Sequence, residues 1–552
     1  MSSGALDLAG WERFYLTFRA VNLLVGLLAA AALWWRARAG AAFALVLALN
    51  VAAWAAYALP IGRPYSLEEL LDVGFAVGIA ACIATGNSVW DHTQVGFASL
   101  EPLWGWSVAA LALFRPERVA GVFRWFPLVA VLGAGLGLYF GLRAADDEED
   151  RWERAFMTLG VLGLASTSLT MLLDWGKAPI PPLWTANVLL KPTHGAAWGL
   201  VGLAVGLWAR GTSGWRVGLV LGALAWVYLL DWAYLLPGLA LCVAAFPAER
   251  RRWRGLAVAV LVSVVVAAPY LGHLFRDYNP TAPNPSTAQL WFDQLGQRLA
   301  SPWWVTLDTG PLFPLSVAGA AVLWRRRAPR DRVLLGVVGG AWLAWIAYEA
   351  GAAVGFSPEA DEHHYYLRMV MGLAAGAAVA AGARALERRF ALTPGRGHVL
   401  ALAACLPFTF PFYWHPPSMD RYFRVSAPPL RPKVLEYTRW VRENTPPDAI
   451  FAAGPSAGIW IPALAGRRVL LVGDARPPKD YEARKEVERT LLLSREPDRV
   501  RAAAARYGVG YVAIDHVLER EYGAAALEGI GKVPAYETVY LDASVRILRL
   551  RP

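Results

Sequence analysis

The chain has 552 residues, of which 56% are hydrophobic and 17% charged, and its formal net charge is +10 at pH 7. A soluble globular protein carries about 25% charged residues, so this composition excludes an ordinary soluble fold. The basic balance calls for no nucleic acid, because the arginines sit in short hinges between apolar windows, where they set membrane topology.

Those windows are about 18 residues or longer, which suits a bilayer core of about 30 Å. They predict spanning segments over 14–35, 41–60, 125–142, 155–173, 189–208, 217–230, 232–246, 256–275, 305–324, 333–355, 366–382 and 399–414. The expected fold is a polytopic α-helical membrane protein of about 12 to 14 membrane helices with a C-terminal soluble α/β domain. Asp231 interrupts 217–246, either as a helix N-cap or as a charge in a broken pair. No short apolar leader with a small-residue cleavage site opens the chain, so no removable signal peptide is expected. Cys82, Cys242 and Cys405 lie in apolar stretches and form neither a disulfide framework nor a zinc spacing. Abundant Ala and Arg with little Lys suit a GC-rich bacterial genome.

Three basic hinges fix the orientation: Arg250, Arg251, Arg252 and Arg254; Arg325, Arg326, Arg327, Arg330 and Arg332; and Arg384, Arg388, Arg389 and Arg396. Positive-inside bias puts them in the cytoplasm. The loops poor in Lys and Arg and the C-terminal tail then face outward. Residues 61–123 leave alternatives open: if 70–88 and 103–114 both cross, Asp91 is cytoplasmic, and if neither does, 61–123 is an external loop region with interfacial or re-entrant helices and Asp91 is outside, the arrangement that the resemblance given below implies. Residues 415–432 are a proline-rich linker. From 433 to 552 short apolar runs alternate with amphipathic ones, the pattern of a small α/β layer domain. Strands are expected over 450–453, 469–472 and 511–515, with a closing hairpin around Asp542. "AAGPSAG" opens a helix and is a weak anion site.

A charge in a membrane segment costs a few kcal/mol on insertion scales, so the charges near the bilayer need a reason. Asp174 and Lys177 follow one segment, and Lys191 and His194 start the next. Asp308 and Glu349 sit near segment ends. Glu359, Asp361, His363 and His364 precede another segment, with Arg368 just inside it. On a helix Glu359 shares a face with His363, and Asp361 with His364, as a divalent metal would require; a solvated loop is the plainer alternative. Arg368 suits a phosphate, with snorkelling to the interface as its alternative. These charges gather on the outward side of the expected topology.

The stretch "SVWDHTQVGF" with Asp91, then "EPLWGWSVAALALF", then "RWFPLVAVLGAGLGLYFGLR" resembles the start of the GT-C glycosyltransferases, which include protein O-mannosyltransferases, aminoarabinose transferases and oligosaccharyltransferases. "EHHYYLRMVMGLAAGAAVAAG" is similar to that family's late helix. "KVLEYTRWVRENTPPDAIFAAG", "AARYGVGYVAID" and "VYLDASVRILRL" are similar to its external domain. The resemblance implies a glycosyltransferase domain over 1–414 and an external domain over 433–552. It implies transfer of a sugar from a polyprenyl phosphate donor to a glycan, lipid or protein acceptor outside the cytoplasm of a bacterial inner membrane. By the same resemblance Asp91 is the base, with His92 beside it and Asp174 as a second carboxylate. Arg368, His364, Lys191, His194 and Lys177 face the lipid phosphate, and Glu101, Trp90 and Trp104 contact sugar or acceptor. The family pairs two carboxylates where this chain has Asp91 and His92; Glu69 and Asp72 are the rival carboxylates. Two other readings stand beside it: a transporter or lipid flippase with a polar cavity open to the outside, and a non-catalytic GT-C-like scaffold.

Overall fold

The computed structural model describes residues 8–58, 78–86, 102–145, 147–166, 192–277, 312–353, 363–408, 432–471 and 479–551. In chain order the helices are α1 (Leu8–Leu33), α2 (Ala39–Ala58), α3 (Gly78–Ala84), α4 (Pro102–Leu111), α5 (Pro116–Gly141), α6 (Glu148–Leu162) and α7 (Pro192–Ala209). Next come α8 (Gly214–Val227), α9 (Leu229–Ala245), α10 (Trp253–Asp277), α11 (Leu312–Arg326), α12 (Pro329–Ala353), α13 (His363–Arg389) and α14 (Arg396–Cys405). The chain forms two compact units: Met1–Gly62, Pro127–Pro269 and Pro280–Tyr422 make one, and Arg63–Phe126, Tyr270–Asn279 and Phe423–Pro552 the other.

The first unit is a helix bundle. Among the described residues two helices, over Arg250–Arg276 and Tyr366–Arg389, are long and apolar enough to cross a membrane; shorter apolar helices accompany them. Large apolar side chains on α1, α5 and α10 point outward, among them Leu28, Phe140, Leu261 and Val265. An outer surface of that kind suits contact with lipid.

Lipid supplies no hydrophobic force between helices, so backbones must approach closely to gain dispersion energy. Glycines make this possible. A Cβ on Gly141 of α5 would lie 2.6 Å from the Gly202 carbonyl carbon of α7, and one on Gly199 2.6 Å from the Gly133 oxygen. In the α6–α13 pair a Cβ on Gly372 would lie 2.5 Å from the Gly160 oxygen. The α9–α12 pair does the same, with a Gly336 Cβ 2.6 Å from the Gly238 oxygen.

The basic hinges converge on one end of this bundle. Asp150 accepts from Arg330 at 2.5 Å and pairs with Arg154 at 2.8 Å. Glu153 pairs with Arg330 at 3.0 Å and Arg326 at 2.5 Å, and Arg326 also holds Asp331 at 2.8 Å. Glu249 bridges Arg252 at 2.8 Å and Arg332 at 2.7 Å, and Glu149 holds Arg384 at 2.7 Å. Helix α6 therefore begins at Glu148, seven residues before the expected segment over 155–173. Asp147 caps it by accepting from the Asp150 N–H at 2.7 Å. The acidic run "DDEED" reads as a polar break in sequence; in the structure its Asp150 and Glu149 pair with arginines from two other helices, Arg330 of α12 and Arg384 of α13.

The expected break at Asp231 is corrected. Helices α8 and α9 part at Tyr228, an extended N-cap residue (φ −158°) with no side-chain cap. Asp231 is not a cap and lies inside the first turn of α9.

The second unit contains α15 (Pro432–Asn444), β1 (Ile450–Ala453), α16 (Pro455–Trp460) running into a π turn (Ile461–Ala465), and β2 (Arg468–Val469). It continues with α17 (Tyr481–Leu493), α18 (Pro497–Tyr507), β3 (Val509–Asp515), α19 (His516–Tyr522), α20 (Ala524–Glu528), β4 (Tyr536–Leu541) and β5 (Val545–Leu550). The sheet order is β2-β1-β3-β5-β4, with β1 parallel to β2 and β3, and β5 antiparallel to β3 and β4. Alternate strand residues serve opposite faces. Ile450, Ala452, Val512 and Ile514 meet Leu491, Val500 and Leu518 on one side. Phe451, Ala453, Tyr511 and Ala513 meet Tyr437, Val441 and Ile461 on the other. Helices α3 and α4 belong to this unit: Thr85 Oγ1 donates to the Gly466 carbonyl at 3.1 Å, and Cys82 Sγ to the Arg467 carbonyl at 3.7 Å.

Candidate functional site

The ionic layer orients the first unit. The C-terminal ends of α9 and α13 lie at it, through Glu249 just past α9 and Arg384 in α13. So does the end of α7, where Arg210 donates to the Gly141 carbonyl at 3.2 Å and the Arg143 carbonyl at 2.8 Å. The N-terminal ends of α7, α9 and α13 therefore lie at the opposite end of the bundle. Each carries the positive end of a helix dipole.

A polar-aromatic cluster sits where these three helices start. Asp231 of α9 is 0% exposed. It lies three residues before Tyr234, on the same face of α9. The Tyr366 ring stands 5.0 Å from that of Tyr234 and 5.4 Å from that of Trp198 in α7, centroid to centroid. Tyr366 and Trp198 are fully buried, yet the Tyr366 hydroxyl and Trp198 Nε1 make no hydrogen bond among the described residues. Leaving such a group unsatisfied costs about 1–3 kcal/mol. A site that keeps two of them beside a carboxylate is equipped to hydrogen-bond a polar group.

Arg368 lies two residues beyond Tyr366 in α13 and is 4% exposed. Snorkelling, the alternative reading of this arginine, is thereby excluded, since its side chain is inside the protein. A buried guanidinium is a cation of the kind that suits an oxyanion.

The other candidates are not brought into view. Asp91, His92, Trp90, Glu101, Asp174, Lys177, Lys191, Glu359 and Asp361 lie outside the described residues, as do Glu69 and Asp72. Trp104, His194, His363 and His364 are placed only as backbone positions, in α4, α7 and the first turn of α13. Among the described residues no group of three or more His, Cys, Asp or Glu side chains gathers to hold a metal. Sequence reasoning missed Tyr366, Tyr234 and Trp198. The signal for Tyr234 and Tyr366 was present as aromatic residues flanking the charges in "DWAYLL" and "HHYYLR", but aromatics in membrane segments usually mark packing or the interface.

The "AAGPSAG" turn is no anion site. Asp515 already fills the start of α16: one oxygen accepts from the Ala457 N–H at 2.8 Å and the other from Val517 and Leu518 at 2.9 and 3.0 Å. A Cβ on Gly454 would lie 2.5 Å from that second oxygen, so this glycine admits the carboxylate.

No protein-family model matches the chain, and no curated protein matches it. Among solved structures it is similar to the Archaeoglobus fulgidus oligosaccharyltransferase. The complex of that protein with zinc and sulfate shares 15% identity over 89% of this chain and 71% of that one, with a TM-score of 0.48. The form tethered to an acceptor peptide containing the NVT sequon shares 14% over 92% and 74%, with a TM-score of 0.47. The complex of the archaeal oligosaccharyltransferase AglB with an inhibitory peptide and a dolichol-phosphate shares 14% over 94% and 72%, also at 0.47.

Proposed function

We propose that this chain is a membrane glycosyltransferase of the GT-C type. It moves a sugar from a polyprenyl phosphate donor to an acceptor on the non-cytoplasmic face of a bacterial inner membrane. The observation that carries the reading is the Arg368 guanidinium, buried two residues beyond Tyr366 in α13 at the end of the bundle away from the basic hinges. Positive-inside bias makes that end the outer one. A lipid phosphate arriving there meets a desolvated cation and three helix N-termini, which together favour an anion.

The chemistry divides between an anion and a cation. The acceptor hydroxyl attacks the anomeric carbon and gives its proton to the Asp91 carboxylate, with His92 beside it. The bond from that carbon to the phosphate oxygen breaks, and its electron pair stays on the departing lipid phosphate. Arg368 steadies that charge, with Lys177, Lys191, His194 and His364 as further cations. Asp174 is the second carboxylate; Glu101, Trp90 and Trp104 contact sugar or acceptor. A divalent metal at Glu359, Asp361 and His363 remains a separate proposal, and no step above depends on it.

The test is transfer by the purified chain in proteoliposomes supplied with synthetic polyprenyl phosphate sugars, read by mass spectrometry of the acceptor. Asp91→Asn abolishes transfer while the chain stays folded; full activity in that variant removes Asp91 from the mechanism. A buried carboxylate in a membrane-type helix, such as Asp231, also marks transport pathways. Solute or lipid flux with no donor present, and no transfer with it, favours that second reading.

A further inference from the structure

We infer that the α3–α4 hairpin is a membrane-lying foot of the second unit, seated in a leaflet of anionic phospholipid. The inference stands on the surface of the second unit and does not depend on the sugar-transfer reading.

One side of the hairpin belongs to the α/β layer. Ile79 to Ile83 are buried, and α3 is pinned to the turn before β2 by the Thr85 and Cys82 bonds to Gly466 and Arg467. Gly105 lets α4 lie on α3, since a Cβ there would stand 2.7 Å from Ile79 Cγ2. Val108, Ala109 and Ala112 complete the buried face.

The other side is apolar and, among the described residues, uncovered. Leu103, Trp106, Leu111, Leu113 and Phe114 are exposed, Leu113 to 66%. Trp106 and Phe114 meet edge to face at 6.1 Å. The turn that presents the last two is strained. Phe114 N donates to the Ala109 oxygen at 2.8 Å and Leu113 N to the Ala110 oxygen at 2.9 Å, a Schellman closure in which leucine stands where glycine is usual. Leu113 has φ 56° and Phe114 φ 53°, the left-handed region that bulky residues avoid. In water this turn would be disfavoured twice, by backbone strain and by exposed apolar surface. Insertion of the two side chains into lipid offsets both.

Charge complementarity names the occupant. Exposed Arg115 and Arg118 follow the patch directly. Aromatic and aliphatic side chains rimmed by arginines are the composition of an interfacial anchor, and arginine beside a membrane surface selects anionic headgroups. Arg115 and Arg118, poorly placed for an external loop by positive-inside bias, thus have phospholipid phosphates as partners.

The test uses the full chain in nanodiscs of phosphatidylcholine and phosphatidylglycerol, with Cys242 and Cys405 replaced by alanine and the fully buried Cys82 kept. Spin labels go on Leu113→Cys and, as control, on Leu541→Cys, an exposed position of β4. The expected result is a label at 113 that oxygen relaxes and a nickel chelate does not, and the reverse at 541. Equal nickel access at both overturns the inference, and so does a label at 113 shielded from both reagents, which would mean a protein partner or second copy. Leu113→Gly relieves the strained turn, so the Trp106→Cys label read in that background separates loss of insertion from misfolding. In the charge-reversed Arg115→Glu/Arg118→Glu chain, co-purifying phosphatidylglycerol should fall at least about threefold; unchanged lipid overturns the anionic part.

Discussion

Asp150 and Arg330, 180 residues apart in the chain, meet at 2.5 Å where neither side chain is more than 6% exposed. Taking two such charges out of water costs several kcal/mol each, offset only by close geometry and further partners. Both have them: Arg154 for Asp150, and Glu153 for Arg330. Removing one partner strands the other. Arg330→Met should therefore destabilise the first unit by about 3–5 kcal/mol, while Asp150→Leu/Arg330→Met should recover much of that loss. Thermal unfolding in nanodiscs compares the three chains. A single variant with an unchanged midpoint would show that the pair is dispensable.

Glycine seams make a second prediction. Gly372→Leu places bulk against the Gly160 backbone, where even a Cβ would come within 2.5 Å. Helices α6 and α13 must then separate, and the dispersion energy of the whole seam is lost. The midpoint should fall steeply, whereas Gly382→Leu on the same helix, with nothing within 4 Å of its Cβ, should change it little.

The hairpin at Asp542 predicts acid sensitivity. Burial works to raise this carboxyl, but bonds from the Ser544 hydroxyl and from the Ser544 and Val545 N–H groups more than offset that, with the Tyr540 hydroxyl, and hold it below the ordinary range. Asp480 is lowered in the same way: burial opposes, and Arg484 and the Tyr507 hydroxyl prevail. A carboxyl depressed in the folded state gives stability that is present above its unfolded pKa, near 4, and is lost as pH falls through the lower folded value. Exchange protection of the Val545 amide, relative to the intrinsic rate at each pH, should fall below about pH 4. Asp542→Asn should exchange faster at pH 7 and show a weaker acid dependence. The same acid dependence in the variant would acquit this carboxylate.

Much of this architecture was legible in sequence. The apolar windows located the helices, and the arginine hinges do meet at one end of the first unit. The strands at 450–453 and 511–515 and the hairpin around Asp542 were readable from alternation and turn chemistry. What the sequence hid was long-range. "DDEED" looks like a loop until Arg330 and Arg384 arrive from distant helices. Helices α3 and α4 look like isolated interfacial pieces, because nothing local announces that Thr85 bonds Gly466. For the site, only Arg368 of the named residues can be located in three dimensions by its side chain. Tyr366 and Trp198 escaped notice because a lone aromatic in a membrane helix has no periodic signature of function.

Tyr366 separates stability from function. Its hydroxyl is buried without a hydrogen bond among the described residues, so Tyr366→Phe should leave the unfolding midpoint unchanged or raise it. If the hydroxyl serves a bound substrate, transfer falls by about tenfold or more, the loss of about 1.4 kcal/mol of transition-state binding. A drop in both midpoint and activity would make Tyr366 a packing residue.

The central claim is a lipid phosphate held by Arg368, and equilibrium binding of a polyprenyl phosphate to the purified chain in nanodiscs tests it most directly. Arg368→Gln leaves a polar side chain, shorter than the original, and removes its charge. The account predicts that this variant, with its unfolding midpoint retained, binds the lipid at least about tenfold more weakly. Equal affinity in the two chains would contradict it.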